Sequence, residues 1–236
     1  MSGFAGVALG VGALLVGFAA PYGNGIEDDP PRVIIEKGTQ TLAKAKSVRM
    51  LAKVVEVSGT TTLDLHFDVD GNCTGSVTPP GNAGRAEIVK RGQDVWLKPD
   101  AKFLQAQMPG PAGQDAAEVI NGRWIHGSAG NPMLGDFAEV CDLSAFQKQY
   151  ASKPRTANAE KGGKTEVDGK PAITATSRTG AESTTYYVAT EGTPYLLQVE
   201  GRKAGQQGKA TFTEYDKPVP AKTPSKAESV ELSNLQ

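Results

Sequence analysis

From Leu63 to Asp70 the chain alternates without a break, with Leu63, Leu65, Phe67 and Val69 in one phase and Asp64, His66, Asp68 and Asp70 in the other. Successive side chains of a strand point to opposite faces, so this stretch reads as a strand with one face on a core and the other in water. Such a strand needs partners beside it and cover over its apolar side. The remainder of the sequence offers both. Arg49 to Val57 has the same period, with an irregularity expected at the Val54-Val55 doublet. Cys73 to Val77, Arg85 to Arg91, Val95 to Lys98 and Arg123 to His126 read as further strands. Beyond residue 164, Thr165–Val167, Ala172–Ser177, Ser183–Ala189, Tyr195–Glu200 and Gly208–Tyr215 form a meander punctuated by turns such as Asp168-Gly169.

Three stretches carry a helical period instead. Pro30 to Lys46 sets Ile34, Gly38, Thr41 and Ala45 on one face behind a capping Asp29. Gln114 to Ile120 is short, and Leu134 to Tyr150 gathers Phe137, Val140 and Cys141 on one side. About eleven strands and three helices result, an α+β plan in which one large curved antiparallel sheet carries its helices on the concave face. Residues 21–31 read as a flexible linker, 32–216 as the folded domain, 151–164 as a polar link within it, and 217–236 as a Pro-rich C-terminal strap.

Composition narrows the function classes. The 236 residues carry 25 Lys and Arg against 26 Asp and Glu, so no basic excess marks a nucleic-acid binder. Two His and two Cys leave little material for a protein-built metal centre or a His-based catalytic device. Asp68-Val69-Asp70-Gly71-Asn72 brushes against a calcium loop, but Cys73 and Pro79 stand where that loop needs Gly and Glu. No Gly-x-Ser-x-Gly elbow, His-Glu-x-x-His, Cys-x-x-Cys or Walker loop occurs. The reading is therefore non-enzymatic, with no cofactor and no metal.

Residues 1–20 hold an uncharged apolar run that suits an export peptide or, equally in length, a membrane anchor. Leu15-Val16-Gly17 opens like a bacterial lipobox, yet Phe18 stands where the lipidated Cys belongs. Export agrees with a Cys73–Cys141 disulfide, the economical use of two cysteines in a secreted chain; two buried free thiols are the alternative.

The strand phases place Met50, Val54, Leu63, Leu65, Phe67, Val95 and Leu97 on the covered side of the sheet. Tyr186, Val188, Tyr195, Leu197 and Val199 join them from the C-terminal meander. Three short helices over so wide a sheet leave either an apolar, lipid-shaped gap lined by these residues or a fully packed core.

Several segments are similar to actinobacterial envelope lipoproteins of the LppX, LprG and LprA type. They are Thr39–Val48, Gly92–Leu97, Asn121–Ile125 and, most of all, the hairpin Tyr187–Leu197. The resemblance implies a LolA-like half-barrel closed by helices. It also implies an extracytoplasmic protein that binds or carries an acyl lipid or glycolipid, peripheral to or anchored on a membrane. An envelope sensor or protein-interaction module on the same fold, with an envelope protein as partner, is the alternative.

Overall fold

The computed structural model describes residues 23–234 apart from 82, 152, 153 and 155, so the expected export segment 1–20, with Phe18, lies outside the described residues. Helix α1 (Pro31–Lys44) leads into β1 (Ser47–Glu56), β2 (Gly59–Asp68), β3 (Cys73–Thr78), β4 (Ala86–Arg91) and β5 (Asp94–Pro99). Helices α2 (Ala101–Gln107) and α3 (Pro111–Ile120) precede β6 (Trp124–Ser128), and α4 (Pro132–Val140) and α5 (Leu143–Phe146) follow it. The second meander comprises β7 (Glu160–Val167), β8 (Lys170–Thr179), β9 (Glu182–Ala189), β10 (Leu196–Lys203) and β11 (Gln206–Thr213), and β12 (Ser229–Glu231) is the last strand.

All twelve strands form one open, curved sheet in the order β12-β6-β5-β4-β3-β2-β1-β11-β10-β9-β8-β7. Two antiparallel meanders thus meet where β1 pairs with β11, and only β12 runs parallel to its neighbour, β6. The expected doublet irregularity is absent: β1 keeps one register with β2 and with β11 through Val54 and Val55.

Local chemistry sets the helices. Pro31 opens α1 at the position where a missing N–H costs nothing, and Ile34, Ile35, Gly38, Thr39 and Leu42 form its buried face. The close seat on the sheet depends on Gly38, because a Cβ there would stand 2.5 Å from Cγ2 of Val188. Pro99-Asp100, which reads as a turn, starts α2, since the Asp100 carboxylate caps the Phe103 N–H at 2.7 Å. The long helix expected over Leu134–Tyr150 divides at Cys141 into α4, α5 and a single π-helical turn over Gln147–Ala151. Gln147 secures that turn, donating to the Leu42 and Ala45 carbonyls at 2.9 and 2.8 Å.

Three segments differ from their sequence reading. Residue 23 onward is no linker: Gly23 bridges to Glu191, Asn24 donates to the Ala189 and Gly192 carbonyls, and Ile26 is buried in the core. The second half of the polar link 151–164 is edge strand β7, exposed on both faces almost throughout, so its polarity carries no period to read. The strap is held along its length. Ser47 Oγ donates to the Lys217 carbonyl, Arg91 Nε donates to that of Ala221, and Val219 and Ala221 are buried against Val89, Trp96 and Trp124. It then contributes β12 and buries Leu232.

Candidate binding face of the sheet

The strand registers arrange the inner face as transverse rows. One row runs Phe212, Met50, Leu65, Gly75, Ile88, Leu97, Ile125 across β11, β1, β2, β3, β4, β5 and β6. Beside it lies Val48, Phe67, Cys73, Lys90, Val95, Gly127. Glycine at 75 is required by the approach of β2, since a Cβ there would lie 1.9 Å from the Asp64 carbonyl oxygen. The helices roof these two rows. Phe146 of α5 fills the middle, its ring centroid 6.0 Å from that of Phe67 and 6.1 Å from that of Phe212. Phe137 of α4 packs at 6.1 Å on Phe103 of α2. The disulfide between Cys73 and Cys141 fastens the C-terminal end of α4 to β3, with Cα atoms 5.7 Å apart.

A third row continues the apolar face at the margin of the core: Tyr186, Val199, Ala210, Ala52, Leu63, Val77, Ala86. Tyr186, Ala52 and Ala86 are buried, while Val199, Ala210, Leu63 and Val77 are only half-buried. Beyond it Val54 pairs with Gly208, which pairs with Gly201. Small residues at 52, 210, 201 and 208 make the centre of this zone shallow, between the larger side chains of Val199 and Leu63. The result is an apolar strip of sheet, open at the hairpin ends of the strands.

Of the residues expected to line the covered face, Met50, Leu65, Phe67, Val95, Leu97, Tyr186 and Val188 join one buried cluster. Leu63 and Val199 pack at its margin, and Val54 lies half-buried on the open zone. Tyr195 and Leu197 do not belong with them. They pack with Tyr187, Val167, Ala172 and Ala189 in a separate cluster on the outer face. The cause is a bulge in β10: Leu196 pairs with Val188 but Gln198 pairs with Tyr187, so Leu197 is an extra residue and the phase shifts. Leu196 therefore takes the inward place, and its N–H is held by Thr41 Oγ1 of α1 at 3.2 Å. Sequence reading also missed Ile88, Phe212 and Phe146; the alternation of Ala86, Ile88 and Lys90 was the available signal for Ile88.

Beneath the helices the buried side chains form one continuous cluster, and two concavities lie on the surface outside it. One, of about 430 Å³, separates the β1–β2 and β10–β11 hairpin tips at the rim of the open strip, bounded by Val55, Val57, Arg202 and Gln206. The other, of about 270 Å³, is a polar cleft on the outer face. Among the described residues no three His, Cys, Asp or Glu side chains converge as a metal site.

No protein-family model and no curated protein matches the chain. Solved structures do. The lipoprotein LppX of Mycobacterium tuberculosis aligns with a TM-score of 0.52 at 12% identity, over 81% of this chain and 98% of its own. LprF of Mycobacterium bovis aligns with a TM-score of 0.55 at 12% identity, over 83% of this chain and 97% of its own. At this identity the likeness is one of fold: an α+β arrangement with helices packed on one face of an open, mostly antiparallel sheet.

Proposed function

We propose that this protein is a non-enzymatic component of a bacterial cell envelope that holds the acyl chains of a lipid or glycolipid on the inner face of its sheet. One observation supports the reading above the others: the apolar inner face continues into a third row in which Val199, Ala210, Leu63 and Val77 are only half-buried at the margin of the core. Water against such a strip is unfavourable, and each methylene laid on it gains about 0.8 kcal/mol before ordering costs. The fold shared with LppX and LprF supports the reading, as does the disulfide, which belongs to an oxidising compartment outside the cytosol.

The packed interior shapes the mechanism. A single chain can lie on the open strip as the protein stands. A deeper ligand must displace part of the roof, and the α2–α3 hairpin is the part that packs chiefly on itself, reaching the sheet at β5. The helix α1, by contrast, seats on β8, β9 and β10.

Native mass spectrometry of protein expressed in an actinobacterial host, with extraction of bound lipids, tests the proposal. The expected result is a protein–lipid mass and uptake of a fluorescent fatty-acyl probe that is lost in Leu63→Glu. Ligand-free protein that also takes up no probe would overturn it.

A further inference from the structure

On the outer face the registers place Arg49 opposite His66, His66 opposite Thr74, Asp64 opposite Ser76, and Ser76 opposite Glu87. These residues, with Arg85 and with Pro220 of the strap as one wall, enclose the polar cleft of about 270 Å³. Its floor contains an anomaly. His66 is only 7% exposed, and its Nε2 atom is the one buried side-chain nitrogen or oxygen among the described residues that has no hydrogen-bond partner. A buried polar atom left unpaired costs roughly 1–3 kcal/mol, and native proteins tolerate this where something else completes the bond.

The surrounding charges say what that could be. Both carboxylate oxygens of Asp64 are held by Arg49, at 3.0 and 2.9 Å, so this acid is neutralised. Arg85 forms no ion pair among the described residues, and the hydroxyls of Thr74 and Ser76 line the same space. The free guanidinium and the two hydroxyls offer donors against the single unpaired carboxylate of Glu87, and the imidazole joins them once it is protonated. A metal ion is the wrong occupant, because no three suitable ligands converge. The cleft lies just below the usual range of small-molecule sites, about 300–1,000 Å³, which suits a compact group rather than a long one.

We infer that this cleft is a second ligand site, which takes a small oxyanion, a phosphate or carboxylate group, between Arg85 and the imidazole of His66 under the cover of the strap. It is separate from the inner face. Arg85 supplies charge and a fork of donors, Thr74 and Ser76 supply hydroxyl bonds, and the imidazole takes up a proton so that Nε2 donates to the anion. Phosphate can arrive free in solution or as the headgroup of a lipid, and the chemistry is common to both.

The test is a titration of full-length protein with sodium phosphate and, in parallel, glycerol 3-phosphate, followed by the imidazole C–H signals of His66 in NMR at constant ionic strength. Saturable shifts with a raised His66 pKa are expected, and Arg85→Gln, a surface change, should weaken the affinity by about tenfold, the worth of one charge-assisted bond. Tighter binding of glycerol 3-phosphate supports a headgroup as the source, and equal or weaker binding supports the free anion. The absence of a shift with both compounds, or an unchanged response in Arg85→Gln, would overturn the inference.

Discussion

On β2, Leu65 and Phe67 point into the packed interior while His66 between them lies beneath the strap, and β4 and β5 divide in the same way, with Ile88 and Leu97 inside and Val89 and Trp96 outside. Both faces are covered, but by different means. The inner cover is helical, driven by aliphatic and aromatic burial and tied by the disulfide. The outer cover is an extended Pro-rich strand of chain, which has no helix to satisfy its backbone and so borrows partners from the sheet. Ser47 Oγ donates to the Lys217 carbonyl at 2.5 Å, and Arg91 Nε donates to the Ala221 carbonyl at 2.8 Å. One face of a sheet can thus carry the stability while the other carries polar and titratable groups. Inner changes should therefore cost global stability and outer ones local order.

The largest effect belongs to the roofed inner row. Phe67→Ala removes a fully buried ring from contact with Phe146 and should lower the unfolding free energy by roughly 3–5 kcal/mol in chemical denaturation. A loss below 1 kcal/mol would mean that the roof is not packed as described. Next comes the tie between roof and sheet. With Cys73 and Cys141 68 positions apart, replacing both by Ser should cost about 4 kcal/mol by chain entropy. Because the tie joins α4 to β3, hydrogen exchange in α4 and α5 should rise more than in α1, which the sheet holds by itself. On the outer face, Ala221→Asp places a charge where 1% of the residue is exposed, against Val89 and the two Trp rings. About 1–3 kcal/mol is expected, spent on freeing the strap rather than on unfolding. Limited proteolysis should then cut within residues 217–234 while the sheet persists, and simultaneous loss of both would show that the strap is integral to the core.

How far these two faces were legible in the sequence follows from the same contrast. A half-buried strand announces itself by alternation, so Leu63 through Phe67 and Val95 through Leu97 declared their inward side without any structure. The bulge at Leu197 gave no such sign. One extra residue in β10 exchanged the roles of Leu196 and Leu197, and apolar residues at 195, 196 and 197 fit either phase. Edge strand β7 was hidden because both its faces are wet, and the strap because prolines erase periodicity even where Val219 and Ala221 are buried. The apolar face could be read, but its roof could not be measured: whether three or five helices suffice to fill a sheet depends on where Phe137 and Phe146 land, and that is a tertiary fact.

The smallest effect separates the faces by pH. Burial lowers the pKa of His66 below its ordinary 6.5; the Lys217 backbone, Glu214 and Asp68 pull it back up more weakly, and Arg49 adds to the lowering. The folded protein therefore resists a proton that the unfolded chain accepts, so stability is complete above about pH 6.5 and declines as the pH falls from there through the folded-state value. The inner face contributes nothing in this window, because its rows are apolar apart from Lys90, whose ammonium is already bonded to the Gly71 carbonyl at 3.0 Å. Glu228 acts lower: its bonds to Ser225 depress its pKa below 4.5, so the stability it lends is lost only under more acidic conditions. Denaturant midpoints measured between pH 7.5 and 5 should slope downward in the wild type and flatten in His66→Asn. An identical slope in the two proteins would move the titrating group away from the outer face and remove the physical basis for an imidazole that waits, unpaired, for an anion.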